Sequence, residues 1–168
     1  MNEKPIDAPK ISHVLDNFIR AVGHTFSWLN VVLILVIILQ VVLRYVFGRG
    51  LVILEELQWH LYAVGIIFGL SYCLVQDSHI RLDLAHSGFS KRTKEKVEIF
   101  GIVILLMPLI IIVFFHSIDF LWESIKVNER SDAPMGLPAR YIIKSVIPIG
   151  FVLFFLAATS RLIRAINF

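Results

Sequence analysis

The sequence predicts an all-α membrane protein with four transmembrane helices. Of its 168 residues, 57% are hydrophobic and only 17% are charged, whereas a soluble domain is nearer to half apolar and a quarter charged. Four apolar runs each approach the roughly 20 residues that a helix needs to cross the hydrocarbon core. Because backbone polar groups in lipid must be satisfied internally, each run is expected to be a helix.

The expected elements form a single membrane domain over residues 1–168. They are an N-terminal amphipathic lead-in over residues 1–25 and spans at about 26–47, 53–75, 97–121 and 141–163.

The lead-in shows helical periodicity. Its apolar residues recur at steps of three and four, at Ile11, Val14, Leu15, Phe18, Ile19, Val22 and Phe26, and the opposite face carries His13, Asp16, Asn17, Arg20 and His24. Such a helix either lies in the membrane interface or packs its apolar stripe on a partner. No compact apolar core precedes a small-residue cleavage site, so we expect the first span to remain as an anchor.

A further helix is predicted between spans two and three. Lys91 and Glu95, like Lys94 and Glu98, stand at the i,i+4 spacing of helical ion pairs. We therefore expect a cytoplasmic connecting helix that continues into span three. Pro108 and Pro148 lie inside spans three and four, where we expect them to kink the helices.

The basic residues predict the orientation. With four spans, one side carries ten of them, at Lys4, Lys10, Arg20, Arg81, Lys91, Arg92, Lys94, Lys96, Arg161 and Arg164. The other side carries six, at Arg44, Arg49, Lys126, Arg130, Arg140 and Lys144. The positive-inside rule then places both termini in the cytoplasm.

Several functions are disfavoured. An autonomous ion-coupled carrier needs ionisable groups near the midplane, but the second span has no acid after Glu56 and the fourth has none. Hydrolase, zinc-protease and phosphate-loop motifs are missing, so we expect no enzyme. No basic stripe with interleaved aromatics indicates nucleic acid. The single cysteine, Cys73, excludes an internal disulfide.

One alternative is a membrane anchor that binds haem b. His60 and His116 are predicted at similar depth in spans two and three, and two histidines on facing helices can hold such a haem. A small carrier that acts as an oligomer is a third possibility, which the missing midplane acid disfavours.

Charged residues gather where span one ends and span two begins. Arg44 closes one helix, while Glu55 and Glu56 open the next, so each charge complements its helix dipole. The same three charges could cap their own helices, pair with each other or contact another protein.

Two blocks of the sequence resemble a known family. They are "LRYVFGRGLVILEELQWHLYAVGIIFGLSYCLVQDSHIRLDL" and "SDAPMGLPARYIIKSVIPIGFVLF". In this order, and with four spans, they are similar to the small membrane subunit (DctQ type) of tripartite ATP-independent periplasmic (TRAP) transporters, over roughly residues 20–165.

The resemblance implies a non-catalytic permease subunit of a sodium-driven system that imports small organic acids across the bacterial inner membrane. Its partners would be a large multi-span membrane subunit, a periplasmic binding protein and the lipid bilayer. The subunit would hold no cofactor, because the sodium sites are expected in the large subunit. Positions that match recurring polar or turn residues of the family are Arg44, Glu55, Glu56, His79, Arg81, Asp83, Pro138 and Lys144.

The resemblance assigns these residues to structure or assembly and not to the solute. Arg44, Glu55 and Glu56 would form a network at the outer helix ends, with partners either in this chain or on the large subunit. His79, Arg81 and Asp83 would order the inner loop. The outer loop, with Asp119, Glu123, Glu129 and Asp132 as its acidic surroundings, would touch the binding protein.

Overall fold

The computed structural model describes residues 10–76 and 91–166. Its helices are α1 (Lys10–Tyr45), α2 (Val52–Val75), α3 (Lys91–Phe100), a π-helix (Gly101–Leu106), α4 (Met107–Lys126) and α5 (Tyr141–Ile166). Four stretches are long and apolar enough to cross a membrane: Ser12–Tyr45, Val52–Val75, Thr93–Lys126 and Tyr141–Ile166. The predicted all-α fold with four membrane helices is confirmed.

The N-terminal lead-in and the first span form one continuous helix. α1 runs without a break from Lys10 to Tyr45, and its first half packs on its own chain. Ile19 is fully buried, and Val22 and Phe26 join the same core cluster. The placement of Asp16 on the polar face is wrong, because Asp16 is buried as well.

The connecting helix continues into the third span, as predicted. α3 is followed directly by the π-helix and then by α4. Pro108 stands at the start of α4, and a proline cannot donate to the carbonyl four residues before it. The wider π turn precedes this position, and the Met107 N–H donates to the carbonyl of Ile102, five residues earlier in the chain.

α5 lies at the centre of the bundle. It packs against α1, α2 and α4, whereas the main contacts of α1 among the described residues are with α2 and α5. One core cluster joins Ile19, Phe68 and Leu153 of α1, α2 and α5. A second joins Ile102, Ile110 and Phe154 on the other side of α5. The helices are therefore arranged in the order α1, α2, α5, α4.

Two glycines allow the closest helix contacts. A Cβ on Gly150 of α5 would overlap the side chain of Ile67 on α2, and one on Gly23 of α1 would lie 2.8 Å from Tyr72 Cβ. Gly65 and Gly69 of α2 have more space around them. A Cβ there would meet only Asn30 Oδ1 at 3.3 Å or nothing within 4 Å, respectively.

Candidate functional site

The charged residues singled out by the sequence gather at one end of the bundle. We call it the hairpin end, because it carries the turn between α1 and α2 and the loop over residues 127–140 between α4 and α5. The opposite end, where α1 begins and α5 ends, is the terminal end.

The first group at the hairpin end joins α1 to the start of α2. Arg44 Nη1 lies 3.7 Å from Glu55 Oε1, and both side chains are about half exposed or more. The buried Gln40 accepts a hydrogen bond from the Leu51 N–H at 3.4 Å and donates to Glu55 Oε1 at 3.5 Å. These contacts are long and exposed, so the pair stabilises the turn only weakly.

Glu56 forms a separate group that anchors the α4–α5 loop. Its Oε1 accepts a hydrogen bond from the Ser131 hydroxyl, and its Oε2 accepts one from the Leu137 N–H at 2.5 Å. The Leu137 carbonyl in turn accepts from the Ser131 N–H at 3.3 Å. One carboxylate at the start of α2 thus holds two ends of a short loop segment together.

The loop needs such an anchor because its backbone is unusual. Asn128, Met135 and Ala139 have φ values of 46°, 63° and 59°, a left-handed region that costs a non-glycine residue about 1 kcal/mol or more. Gly136 lies against the carboxylate, since a Cβ there would sit 2.9 Å from Glu56 Oε1. The tight turn around the carboxylate therefore requires glycine at this position.

Glu129 holds the other end of the loop to α5. It forms an ion pair with Lys144 and lies 3.8 Å from Arg140 Nη1, while the Arg140 N–H donates to its carbonyl at 3.0 Å. Lys144 Nζ also lies 3.8 Å from the centroid of the Phe120 ring on α4. A lysine in the first turn of a helix opposes the helix dipole, and Glu129 and the ring offset that cost.

The environment of Glu129 favours its charged form. The hydrogen bond from Lys144 holds the pKa of Glu129 below its usual value of 4.5, and the positive charges of Lys144 and Arg140 act in the same direction. Glu129 is thus paired with Lys144 and Arg140, and Glu123 is paired with Lys126 at 2.7 Å. Two of the four acids predicted around the outer loop therefore have basic partners within this chain.

The predicted site residues thus fall into three sets. Arg44 and Glu55 are brought together, whereas Glu56 and Lys144 organise the loop through different partners. Pro138 is exposed in that loop, directly after Leu137. His79, Arg81 and Asp83 lie outside the described residues.

Sequence reasoning missed the partners Gln40, Ser131 and Leu137. Ser131 and Leu137 are separated from Glu56 by 75 and 81 residues, so no local pattern could reveal them. The family-like block that begins at Ser131 was the one available signal.

The terminal end carries a second set of polar contacts that the sequence did not reveal. Asp16 of α1 accepts hydrogen bonds from Ser160 and from Arg164 of α5, both at 2.6 Å. Arg161 of α5 pairs with Glu98 of α3. The last turns of α5 therefore hold the first part of α1 and the last turn of α3.

The two histidines of the haem alternative do not form a facing pair. His60 is on α2 and His116 on α4, and among the described residues these two helices pack mainly on α1 and α5, respectively, and not on each other. His116 is exposed, and its Nδ1 lies 2.8 Å from the Ile112 carbonyl of its own helix. The described residues thus give this alternative no support.

The fold and these contacts define a class of protein. The chain is a multi-pass α-helical membrane protein whose helix ends are braced by ion pairs, and the described residues group no three His, Cys, Asp or Glu side chains as metal ligands. These arrangements suit holding helices and loops in place.

Comparison with known proteins identifies the family. Residues 33–168 match the family model "Tripartite ATP-independent periplasmic transporters, DctQ component". The chain belongs to this family and is the small component of a TRAP transporter, so the family resemblance predicted from the sequence is confirmed. Membership implies in general a large membrane subunit and a binding protein as partners. No curated protein and no solved structure matches the chain significantly.

Proposed function

We propose that this chain is the non-catalytic permease subunit that packs on the large membrane subunit and stabilises its scaffold. The observation that carries the proposal is the open lateral surface of α1. In the most apolar window of α1 only 6% of the residues are buried, against 33% in α5. A scaffold component needs such apolar faces for lipid and partner helices.

The distribution of charge supports an accessory role. The acids of α1 and α2, Asp16, Glu55 and Glu56, stand near helix ends, and α5 contains no acid. A path for a coupling ion commonly uses ionisable groups near the midplane. We therefore assign the solute path and the sodium sites to the large subunit, in a sodium-driven importer of small organic acids.

The loop over residues 127–140 is the surface proposed for the periplasmic binding protein. Glu56 and Glu129 hold its backbone from two sides, while Arg130, Asp132 and Met135 remain exposed. A pre-ordered loop loses less conformational freedom when it binds. This assignment requires the hairpin end to face the periplasm and both termini to face the cytoplasm of the bacterial inner membrane.

Reconstitution tests the function. Proteoliposomes that contain the large subunit, this chain and the binding protein should take up a radiolabelled carboxylate from a mixed panel under an inward sodium gradient. Omission of any component should abolish uptake. Uptake by this chain alone would contradict the proposal.

Paired substitutions test the assembly role of the helix-end charges. Glu55→Gln and Glu56→Gln together should lower the amount of this chain that co-purifies with a tagged large subunit. The apparent affinity of the assembled transporter for its solute, measured from uptake, should change less than assembly does, because neither residue is expected to touch the solute. Normal assembly with altered solute affinity would reject the assignment.

A further inference from the structure

A small polar cleft opens between α1 and α2. It has a volume of about 70 Å³ and is lined by Gly23, Ser27 and Asn30 of α1 and by Gly65, Gly69 and Tyr72 of α2, among others. Phe26 also lines the cleft, and its ring stacks on that of Phe68 with centroids 3.9 Å apart. The other polar contacts described between the two helices lie at the hairpin end, where Gln40 and Arg44 meet Glu55.

The register of the two helices places Asn30 deep in the bilayer. Gln40 contacts Glu55 at the hairpin end, and Asn30 lies opposite Gly65, ten residues further along each helix (40 to 30, 55 to 65). Ten residues of α-helix span about 15 Å. Gly65 stands near the middle of α2 (Val52–Val75), so Asn30 lies level with the middle of this membrane helix.

Asn30 is the polar side chain of the cleft whose bonding capacity is unused. Ser27 donates to the Gly23 carbonyl at 2.8 Å, and the Tyr72 hydroxyl accepts from Gln76 at 3.0 Å. No residue within the described ranges 10–76 and 91–166 forms a hydrogen bond with the side-chain amide of Asn30, and Asn30 is exposed on the surface of α1. Lipid tails cannot satisfy an amide, so a polar partner outside this chain is favoured at this depth.

We propose that this cleft receives a hydrogen-bonding side chain, of the Ser, Thr, Asn or Gln type, from a transmembrane helix of the large subunit. The inference rests on the proposed function, which supplies the large subunit as the neighbour. Gly65 and Gly69 contribute no side chains to the α2 wall of the cleft, so a partner helix can approach this part of α2 closely. Asn30 then fixes the register of the two subunits through an interhelical hydrogen bond.

Two variants of this chain probe the cleft independently. Asn30→Leu removes the amide, and Gly69→Leu fills the cleft from the opposite wall. A Cβ at Gly69 meets nothing within 4 Å, so the substitution starts in open space. Gly101→Leu is the matched control, because a Cβ at Gly101 also meets nothing within 4 Å and this residue does not line the cleft.

The experiment co-expresses each variant with a tagged large subunit and measures the small subunit retained after detergent extraction and affinity capture. We expect several-fold lower retention for Asn30→Leu and Gly69→Leu, and wild-type retention for Gly101→Leu. The thermal unfolding temperature of each isolated subunit should stay at or above that of the wild type. Asn30→Leu removes no hydrogen bond made by the described residues, and a Cβ at Gly69 or Gly101 meets nothing within 4 Å.

The outcomes separate this inference from the proposed function. If the wild-type chain is not retained by the large subunit, the proposed function fails. If the wild type is retained and both cleft variants are retained equally well, the cleft holds only water or lipid and the inference is overturned. Equal losses in all three variants overturn it too. If the isolated subunit forms a dimer and Asn30→Leu abolishes it, the cleft binds a second copy of this chain and the inference is overturned.

Discussion

Glu56 Oε2 accepts the N–H of Leu137 at 2.5 Å, across 81 residues of sequence. Because the same carboxylate also accepts the Ser131 hydroxyl, the first turn of α2 holds the loop over residues 127–140 in a defined shape. Glu55, its neighbour in sequence, contacts Gln40 and Arg44 instead. Both glutamates thus have partners within this chain.

Replacing Glu56 with Gln should release the loop. An amide keeps one acceptor oxygen and turns the other position into a donor, which then faces either the Ser131 hydroxyl or the Leu137 N–H. We expect hydrogen exchange of the Leu137 amide to accelerate several-fold, as measured by hydrogen–deuterium exchange of the purified subunit. Glu55→Gln is the matched control and should leave this exchange unchanged, because the side chain of Glu55 contacts Gln40 and Arg44 of α1 and not the loop. Equal acceleration in both variants would contradict the separate roles.

The loop should also loosen at acidic pH. The pKa of Glu129 is lowered by the hydrogen bond from Lys144, so its contribution to stability is present above the ordinary value of 4.5 and is lost as the pH falls through the lower folded value. Exchange of the loop amides, corrected for the intrinsic rate, should therefore rise as the pH is lowered below 4.5. Glu129→Gln should remove this component, whereas Glu123→Gln, which alters an exposed pair with Lys126, should retain it. A wild-type pH profile in Glu129→Gln would refute the assignment.

The predictable part of the fold is the part that hydropathy encodes. The span predicted at 141–163 corresponds to Tyr141–Ile166, and the connecting helix begins at Lys91, where the i,i+4 charge pairs start. The predicted face of α1 was partly wrong, because amphipathicity cannot distinguish water from a buried partner. Asp16 fits a polar face by composition, yet it is buried because Arg164 of α5 neutralises it.

The site was predictable only where its charges stand beside a helix end. Arg44 and Glu55 flank one short turn, so their proximity follows from the chain itself. Ser131, Leu137 and Arg164 reach their partners through tertiary packing, which a single sequence does not specify. The close-approach glycines were missed for the same reason, since Gly150 is isolated in its helix and only Ile67 on the facing helix gives it a role.

Gly150→Ala should destabilise the bundle. The added methyl would overlap the Ile67 side chain, and overpacking of this kind typically costs about 1–3 kcal/mol. The measurement is thermal unfolding of the subunit in detergent, with Gly101→Ala as the control because its Cβ meets nothing within 4 Å. Ile67→Ala combined with Gly150→Ala should recover part of the loss if the overlap is its cause. No recovery in the double variant would assign the loss to another contact.

At the terminal end, removal of Asp16 or Arg164 alone should destabilise the subunit more than replacement of both together. Asp16→Ala leaves a partly buried guanidinium without its carboxylate, and loss of one partner of a buried pair costs about 3–5 kcal/mol. We expect about the lower value, because 22% of the Arg164 side chain is exposed against 7% of Asp16. Asn17→Ala, on the exposed side of the same turn, is the control. The double variant Asp16→Leu with Arg164→Met replaces both charges by apolar groups. Its stability in chemical or thermal unfolding should therefore lie much closer to that of the wild type than the stability of Asp16→Leu or Arg164→Met alone. If the two single losses simply add in the double variant, Asp16 and Arg164 do not stabilise the start of α1 through each other.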